Sequence, residues 1–302
     1  SFSFVKRDSP LKEFSFSKAV YDRNGELLRL TLSEDEKYRL YPPLNGFSSN
    51  LKEATLLFED KYFYSHPGVN PASIIRAAWD TYVVGASRVG ASTITMQTAR
   101  LLFGINSKTP LGKIKQMLYA LKLEYLYTKD QILEAYLNIA PYGSNIEGAG
   151  AASLIYFKKE PSGLTFHEAI TISVMPESPA RRKPVSGKDH ENKDLIDARN
   201  ILFERWVEKH PGEIKEKEML NLPMRVYSPS ELPFFAPHYV DSILAENKNL
   251  ASRISATIDL KLQRQIESIL KNYIERKKNT GVGNAVALLI DYTSMEVMAS
   301  VG

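Results

Sequence analysis

The chain has 302 residues, of which 43% are hydrophobic and 25% are charged. This length and composition suffice for one large domain, or for one domain and part of another, and they exclude an intrinsically disordered chain. The 39 Lys and Arg residues nearly balance the 35 Asp and Glu residues, so the charge does not favour nucleic-acid binding. There is no cysteine, which excludes disulfide bonds and thiolate metal sites and leaves the compartment open. No apolar run reaches about eighteen residues and no signal peptide is visible, so no bilayer-spanning segment is predicted.

Residues 1–45 have the pattern of extended structure. Within them, two apolar runs are separated by Asn24 and Gly25. An Asn-Gly pair in this position is typical of a β-hairpin with a type I′ turn. We therefore predict an N-terminal hairpin that turns at Asn24 and Gly25.

A helical pattern of apolar residues begins near Asn50 and ends near Lys209. Three helix starts in this region have the spacing of a capping box, in which two side chains three positions apart each bind a free backbone amide. The predicted pairs are Asn50 with Glu53, Thr128 with Gln131, and Thr165 with Glu168. Residues 46–209 are therefore predicted to form one helical domain.

The composition changes after this region. Residues 210–250 contain Pro211, Pro223, Pro229, Pro233 and Pro237, and this spacing of prolines predicts a linker. Beyond the linker, the pattern predicts one strand, then an amphipathic helix, and then two further strands. The predicted bounds are 253–258 for the first strand, 260–278 for the helix, and 285–291 and 296–301 for the later strands. We interpret residues 251–302 as a separate, partial β/α segment.

Four short polar motifs lie on the helical pattern. They are EDKYFYSHPG at residues 59–68, GASTITMQ at 90–97, GKIKQ at 112–116 and KDQILEAYLN at 129–138. The first motif places Glu59 late in a helix, just before Tyr62, Phe63 and Tyr64. A carboxylate beside apolar rings is partly desolvated, which raises its pKa towards neutrality and makes it a better general base. The alternative is a solvated Glu-Asp pair at an exposed helix end, and His66 alone is more typical of a structural residue than of a catalyst.

The second motif predicts a helix with Ser92 as its N-cap. On that helix Thr93, Gln97 and Arg100 form one polar stripe, because residues about four positions apart share a helix face. The free amides and positive dipole of a helix N-terminus, together with an arginine, suit a diphosphate. The alternative is an ordinary amphipathic helix with a solvated stripe.

In this order and at this spacing, the motifs resemble those of the family 51 glycosyltransferases, the lipid II polymerases of class A penicillin-binding proteins. The resemblance covers roughly residues 18–210. It implies a mainly α fold (α+β overall): a lysozyme-like helical glycosyltransferase domain with a small membrane-facing lobe, an N-terminal β-hairpin and a C-terminal partial β/α segment. It implies inverting transfer of a glycan from undecaprenyl diphosphate to lipid II, with Glu59 as the general base. The implied substrate-binding residues are Asp60, His66, Ser92, Thr93, Gln97 and Arg100.

The third motif departs from the family pattern Arg-Lys-x-x-Glu. The matching positions here are Gly112, Lys113 and Gln116. Gln116 cannot carry charge or abstract a proton, although it can hydrogen-bond to a sugar or phosphate oxygen. The resemblance therefore implies a mechanism with one carboxylate, in which Glu59, Lys113 and Gln116 are the catalytic set. The branch of the family called penicillin-binding protein 1C is similar at this position and at residues 140–143. The alternative is that the departure weakens or abolishes turnover.

The remaining motif residues are predicted to be structural. Glu134 and Asn138 lie one turn apart on a helix whose other face is apolar, which favours a carboxylate that holds neighbouring helices. A fifth family motif, Arg-Arg-x-x-Val-Leu, survives only in part around Arg199, and we interpret this arginine as structural too.

The resemblance also implies partners and a location. Residues 76–85 combine Trp, Tyr, Val and Arg, which suits either a segment in the lipid headgroup region or a packed surface helix. The implied location is the periplasmic or outer side of the cytoplasmic membrane, with a single-pass anchor outside this sequence. The implied partners are lipid II, the growing glycan, the membrane surface and other cell-wall synthesis proteins, without nucleic acid. No cofactor or dedicated metal site is predicted, and a Mg²⁺ or Mn²⁺ ion on the diphosphate remains an alternative.

Two further activities are weaker predictions from the sequence. The C-terminal segment resembles the start of a transpeptidase domain, but no Lys-Thr-Gly occurs in the chain, and such enzymes need that motif. We therefore predict no transpeptidase activity and no reaction with penicillin. A silent lipid II-binding scaffold is the main competing function. A lysozyme-like hydrolase is less favoured, because no second carboxylate stands at a motif position to act as the acid.

Overall fold

The computed structural model describes residues 9–71, 92–185, 192–220, 222, 224–246 and 252–302. The chain divides into two compact units. The first unit comprises Ser1–Ser15 and Tyr41–Pro229, and the second comprises Phe16–Leu40 and Ser230–Gly302. The structure thus groups the N-terminal hairpin with the C-terminal segment, whereas the sequence suggested four consecutive parts.

The first unit is built from helices. They are Ser49–Glu59 (α1), Ile94–Leu102 (α2), Pro110–Leu126 (α3), Lys129–Ile139 (α4), Ala149–Phe157 (α5), Phe166–Val174 (α6), Lys193–Lys209 (α7) and Glu216–Leu220 (α8). Helix α1 packs against α6 and α7, while α2 packs against α3 and α4. The prediction of a mainly α fold is confirmed. The predicted interfacial segment at residues 76–85 lies outside the described residues.

The helix starts confirm two of the three predicted capping boxes. Thr128 and Thr165 each cap their helix, and the side chain three residues later binds back. The pairing of Asn50 with Glu53 is wrong, because Ser48 is the N-cap of α1 and accepts from the Leu51 amide. Ser48 has extended backbone angles, while Asn50 already lies within the helix. A side chain inside the first turn cannot occupy the capping position.

The predicted N-cap of α2 is also wrong by one residue. Thr93, not Ser92, caps the helix and accepts a hydrogen bond of 3.1 Å from the Met96 amide. Adjacent Ser and Thr are equally suited to capping, so the local sequence does not distinguish them. The shift leaves the Ser92 hydroxyl available for another partner.

The second unit combines a three-stranded sheet with two helices and a separate hairpin. The strands Ala19–Tyr21 (β1), Leu27–Leu30 (β2) and Arg253–Ser255 (β3) pair in the order β2-β1-β3, with β1 antiparallel to β2 and parallel to β3. The hairpin consists of Ala287–Ile290 (β4) and Val297–Val301 (β5). The helices are Pro237–Glu246 (α9) and Leu260–Lys277 (α10). The buried core contains Val20, Leu28, Val240, Ile254, Ala256 and Leu260.

The N-terminal hairpin is confirmed, but the type I′ turn is wrong. That turn needs positive φ at both central residues. Gly25 has a φ of 85°, while Asn24 is not among the described residues with positive φ. The Asp22 carboxylate accepts from the amides of Asn24 and Glu26, both at 2.8 Å. This side-chain acceptor favours a type I turn that ends in a left-handed glycine.

The C-terminal segment follows the predicted element order. Helix α10 matches the predicted helix to within one residue, and the three strands are shorter than predicted. The predicted linker differs, since it contains α9, which begins at Pro237. Proline is favoured in the first turn of a helix because its missing N–H would have no partner there. In the described parts of the chain, no helix has the length and apolar character needed to cross a bilayer.

Candidate active site

A cleft of about 1140 Å³ opens in the first unit. It is lined by the end of α1, the loop after it, α2, residues from the loop that follows α6, and part of α7. Most of the predicted catalytic and substrate-binding residues lie on its wall. These are Glu59, Asp60, His66, Ser92, Thr93, Gln97, Arg100 and Gln116. The fold therefore brings together motifs that are far apart in the sequence.

Glu59 is the last residue of α1 and faces the cleft. Its Oε2 accepts a hydrogen bond of 2.6 Å from Nε2 of Gln97. Its Oε1 is buried and has no hydrogen-bond partner at a suitable distance and angle among the described residues, although the Tyr136 hydroxyl interacts with the carboxyl and this contact helps to raise the pKa of Tyr136. One carboxylate oxygen is thus held by a neighbouring helix, and the other has no well-formed hydrogen bond in the described structure.

Burial is the main influence on the protonation of this carboxyl. It raises the pKa of Glu59 from 4.5 to about 7, against the lowering effect of the Gln97 hydrogen bond. The Glu177 carboxylate raises the pKa further, while the Arg182 and Arg100 charges lower it. A carboxyl with a pKa near neutrality is ionised in part at neutral pH and holds an abstracted proton well.

The predicted source of this burial is wrong in detail. The sequence attributed it to Tyr62, Phe63 and Tyr64, but Tyr62 is 60% exposed and Tyr64 is 57% exposed. Only Phe63 is buried. The groups that act on the Glu59 carboxyl besides burial, namely Gln97, Glu177, Arg182 and Arg100, come from distant segments, which no local pattern reveals.

Two cations lie on the α2 side of the cleft. Arg100 is on the wall itself, and no described acidic side chain forms an ion pair with it. Lys113, on α3, donates from Nζ to the Ser92 hydroxyl at 2.5 Å. Burial, and then the Arg100 charge, lowers the pKa of Lys113 below its ordinary value. The effect of the Arg100 charge on the pKa of Lys113 agrees with two neighbouring cations, which the diphosphate hypothesis requires.

Three residues predicted to contact the substrate, Asp60, His66 and Thr93, make hydrogen bonds between residues 60–68 and the start of α2. Both carboxylate oxygens of Asp60 lie 3.0 Å from Nε2 of His66, and Oδ2 also accepts from the Ile94 amide at 3.0 Å. Nδ1 of His66 accepts from the Gly68 amide, so the proton of a neutral ring lies on Nε2. Thr93 donates to the Gly68 carbonyl at 2.5 Å. These contacts join the end of α1 to the start of α2, and substrate binding by these residues stays a prediction.

Comparison with known proteins shows the family of this chain. Residues 24–207 match the family described as Transglycosylase, which is more than half of the chain. The chain belongs to the transglycosylase family. It is 34% identical to penicillin-binding protein 1C of Escherichia coli (strain K12) over 97% of this chain and 37% of that protein. It is 31% identical to penicillin-binding protein 1A of the same strain over 84% of this chain and 30% of that protein.

A crystal structure of penicillin-binding protein 1A from Haemophilus influenzae is also similar. It matches 86% of this chain and 30% of the solved chain at 17% identity, with a TM-score of 0.39. The chain therefore spans less than two fifths of the length of these relatives. The family match supports peptidoglycan glycosyltransferase activity for the transglycosylase domain.

Gln116 of this transglycosylase domain is buried on the cleft wall, with 1% of its surface exposed. Its Nε2 donates to the Met96 carbonyl at 2.7 Å, and its Oε1 has no partner among the described residues. The amide thus supports α2 and leaves one acceptor oxygen at the cleft. Catalytic participation of Gln116 stays a prediction.

The residues predicted to be structural have structural contacts. Glu134 accepts from the Tyr41 hydroxyl at 2.9 Å and from the Leu44 amide at 2.7 Å. Asn138 donates to the Pro42 carbonyl at 3.1 Å, and Arg199 donates to the Leu220 carbonyl. Each of these side chains joins a helix to a segment distant in sequence.

Three neighbours of Glu59 were not predicted as site residues. Tyr136 and Tyr142 are fully buried, and the Glu59 charge contributes to raising the pKa of both hydroxyls after the larger effect of burial. Glu177 lines the cleft and forms an ion pair of 2.6 Å with Arg182. Tyr136 was predicted only as part of an apolar helix face, and that pattern does not show where its hydroxyl points.

The donor set of the described residues does not fit a resident metal ion. No group of three or more His, Asp or Glu side chains in the described ranges is placed to hold one. Of the carboxylates near the cations, Glu59 has a raised pKa and Asp60 is bound to His66. The expectation that no cofactor is required stays a prediction.

Proposed function

We propose that this chain is a peptidoglycan glycosyltransferase that polymerises lipid II into β-1,4 glycan strands. The observation that carries this proposal is a buried carboxyl, Glu59, with a pKa raised to about 7 on the wall of a cleft that also holds Arg100. A general base thus shares the cleft with a cation that has no ion-pair partner among the described residues. This arrangement suits a reaction in which a hydroxyl loses a proton while an anion departs.

In this mechanism Glu59 takes the proton from the 4-hydroxyl of the acceptor sugar. The hydroxyl oxygen attacks the anomeric carbon of the donor from the face opposite the diphosphate. As the new carbon–oxygen bond forms, the bond to the diphosphate breaks and its electron pair leaves with undecaprenyl diphosphate. A single displacement inverts the anomeric centre, so an α-linked diphosphate becomes a β-1,4 linkage.

Arg100 and Lys113 are proposed to bind the leaving diphosphate. Negative charge grows on the departing oxygen in the transition state, and fixed cations stabilise it without rearranging. The hydrogen bond from Lys113 to Ser92 at 2.5 Å holds the ammonium group next to the start of α2. A divalent ion on the diphosphate would supply further positive charge there, and no step of the proposal depends on it.

The proposed substrates also imply a cellular location for the protein. Lipid II and its polymer are membrane lipids, so the cleft would work at the outer surface of the cytoplasmic membrane, beside other cell-wall synthesis proteins. The proposal assigns no transpeptidase activity to this chain. A labelled penicillin should therefore fail to form a covalent adduct with it.

Replacement of the base tests the proposal directly. We expect Glu59→Gln to lower the rate of polymerisation of labelled lipid II by about a hundred- to ten thousandfold, because amide nitrogen and oxygen cannot take the acceptor proton. Binding of lipid II should persist, since the side-chain shape is kept. Full activity in this variant would contradict the assignment of Glu59 as the base.

A silent lipid II-binding scaffold is the competing function, and Gln116 is the observation that favours it. This side chain stands where the family has a second functional carboxylate, and its amide is committed to the Met96 carbonyl. A wild-type chain that binds labelled lipid II but forms no polymer, in detergent or on a bilayer, would support the scaffold and end the enzymatic proposal.

A further inference from the structure

Among the buried polar atoms of the first unit that lack hydrogen-bond partners in the described residues, three are linked by electrostatics. They are Oε1 of Glu59 and the hydroxyl oxygens of Tyr136 and Tyr142. Leaving a buried polar group without a partner typically costs about 1–3 kcal/mol. Natural proteins rarely retain several such groups close together without a reason. These three atoms therefore deserve a common explanation.

The two tyrosines are held rigidly. Tyr136 lies on α4 and is fully buried. Tyr142 follows that helix, where its amide donates to the Ile146 carbonyl at 2.9 Å and its carbonyl accepts from the Tyr156 hydroxyl at 2.8 Å. Both rings are fully buried, so neither hydroxyl reaches solvent.

The chemistry of the three groups is complementary. An ionised carboxylate only accepts hydrogen bonds, and each of its oxygens can accept two. A phenol donates one, and burial together with the Glu59 charge raises the pKa of both phenols, so both keep their protons at neutral pH. Two O–H donors and one acceptor oxygen without a donor in the described structure are thus buried in one unit. The Glu59 charge acts on both phenols, and the Tyr136 hydroxyl also interacts with the Glu59 carboxyl as a hydrogen-bond partner.

We propose that Tyr136 and Tyr142 are positioning residues, whose hydroxyls donate to Oε1 of ionised Glu59 and so present Oε2 to the acceptor sugar. This inference rests on the proposed function, because it specifies how the base is held. The carboxylate would then be fixed from two sides, by the tyrosines at Oε1 and by Gln97 at Oε2. Only a lone pair directed into the cleft would remain for the proton.

A proton relay through these tyrosines is a different proposal, and the structure argues against it. A relay needs a second acceptor that leads to solvent. Both hydroxyls are buried and lack any other partner among the described residues, and the nearby Tyr156 hydroxyl donates to a backbone carbonyl. The proton that Glu59 takes from the acceptor therefore has to leave through the cleft.

Replacement of each tyrosine by phenylalanine tests the proposal, because the ring stays and only the oxygen is lost. For Tyr136→Phe and Tyr142→Phe we expect kcat for lipid II polymerisation to fall about ten- to a hundredfold, since the base is less well oriented. KM should change little. Loss of a donor to the ionised form raises the pKa of Glu59, so the acidic limb of the pH–rate profile should move up by about one unit.

A second readout does not require activity. The carboxyl carbon of Glu59 can be followed by NMR in protein labelled with ¹³C-glutamate, with Glu59→Gln to assign the signal. Its titration midpoint should rise in both phenylalanine variants. The other charged groups that act on Glu59, namely Glu177, Arg182 and Arg100, remain unchanged in these variants and cannot account for a rise.

Tyr41→Phe is the matched control. It removes a hydroxyl that donates to Glu134 in the same unit, so it should leave the titration of Glu59 unaltered. If the wild-type chain proves inactive while the Glu59 midpoint still rises in the phenylalanine variants, the positioning inference stands and the proposed function fails. An unmoved midpoint in both variants, or thermal stabilisation by both at every pH, would show that the hydroxyls do not bind Glu59 and would overturn the inference.

Discussion

Two glutamates of the first unit, Glu59 and Glu134, make an instructive comparison. Each lies on a helix, and each is bound by a side chain or amide from elsewhere in the unit. Both oxygens of Glu134 have donors, at 2.9 Å from Tyr41 and 2.7 Å from Leu44. Glu59 has one donor, Gln97, and its Oε1 has none among the described residues. A fully bonded carboxylate holds a fold together, while burial of one with fewer donors keeps its pKa near neutrality.

The cations sharpen the comparison most, because Arg100 lines the same cleft as Glu59 and Lys113 binds Ser92 on its wall. We expect Lys113→Ala to lower the polymerisation rate by about a hundred- to a thousandfold, the usual loss when one preorganised group that stabilises a developing anion is removed. Rates measured with labelled lipid II at saturating concentration would test this. Added Mg²⁺ should restore part of the rate.

Lys115→Ala is the matched control for that experiment. It removes the same charge from the same helix, at an exposed residue whose ammonium lies 5.7 Å from the ring centroid of Tyr119 rather than beside Ser92. An equal loss in both variants would mean that the overall charge of α3 matters, and the leaving-group role of Lys113 would be abandoned.

Replacement of the two glutamates by glutamine should change the stability of the fold in opposite directions. The pKa of Glu59 is raised from 4.5 to about 7, so between these values the folded protein holds a proton that the unfolded chain lacks. Its stability therefore falls as the pH rises through this window and is level above it. The full effect is on the order of 3 kcal/mol. Glu59→Gln should raise the melting temperature at pH 8 and leave it unchanged near pH 4.5.

Glu134→Gln should have the opposite effect on the melting temperature at neutral pH. An amide nitrogen cannot accept from the Leu44 amide, so this variant should melt at a lower temperature than the wild type. Thermal unfolding followed by circular dichroism at both pH values would measure the two variants side by side. Destabilisation by Glu59→Gln at pH 8 would remove the distinction drawn between the two carboxylates.

The smallest expected effect on the pH–rate profile is that of replacing Glu177. Its charge raises the pKa of Glu59, but its side chain is 52% exposed, so solvent screens much of the interaction. Glu177→Gln should move the acidic limb of the pH–rate profile down by a few tenths of a unit. A shift upwards would mean that the loss of its ion pair with Arg182 dominates.

The sequence predicted the parts of the site that depend on local pattern. Helix α4 and its capping box follow from Thr128 and Gln131, and α10 follows from its amphipathic spacing. The motif order identified Glu59, Gln97 and Arg100, which the fold brings to one cleft. Local rules succeed here because a helix start or an apolar stripe is decided by residues within a few positions of one another.

The sequence could not predict contacts between distant segments. The raised pKa of Glu59 was anticipated, but its neighbours Tyr62 and Tyr64 are exposed, and the buried tyrosines come from residues 136 and 142. The choice between Ser92 and Thr93 as N-cap was likewise decided at a distance, because Thr93 also binds the Gly68 carbonyl and Ser92 binds Lys113. Such choices depend on which partner the folded chain supplies.

The Asp60 carboxylate has a wider consequence. It follows Glu59 directly and accepts from the Ile94 amide, 34 positions further along the chain. Together with the hydrogen bonds from Gln97 to Glu59 and from Thr93 to Gly68, this contact fixes the spacing between the proposed base and the α2 arginine, independently of the chain length that joins the two helices. The connection between the two helices could therefore change in length without altering this spacing, provided that the hydrogen bond between Asp60 and the Ile94 amide is kept.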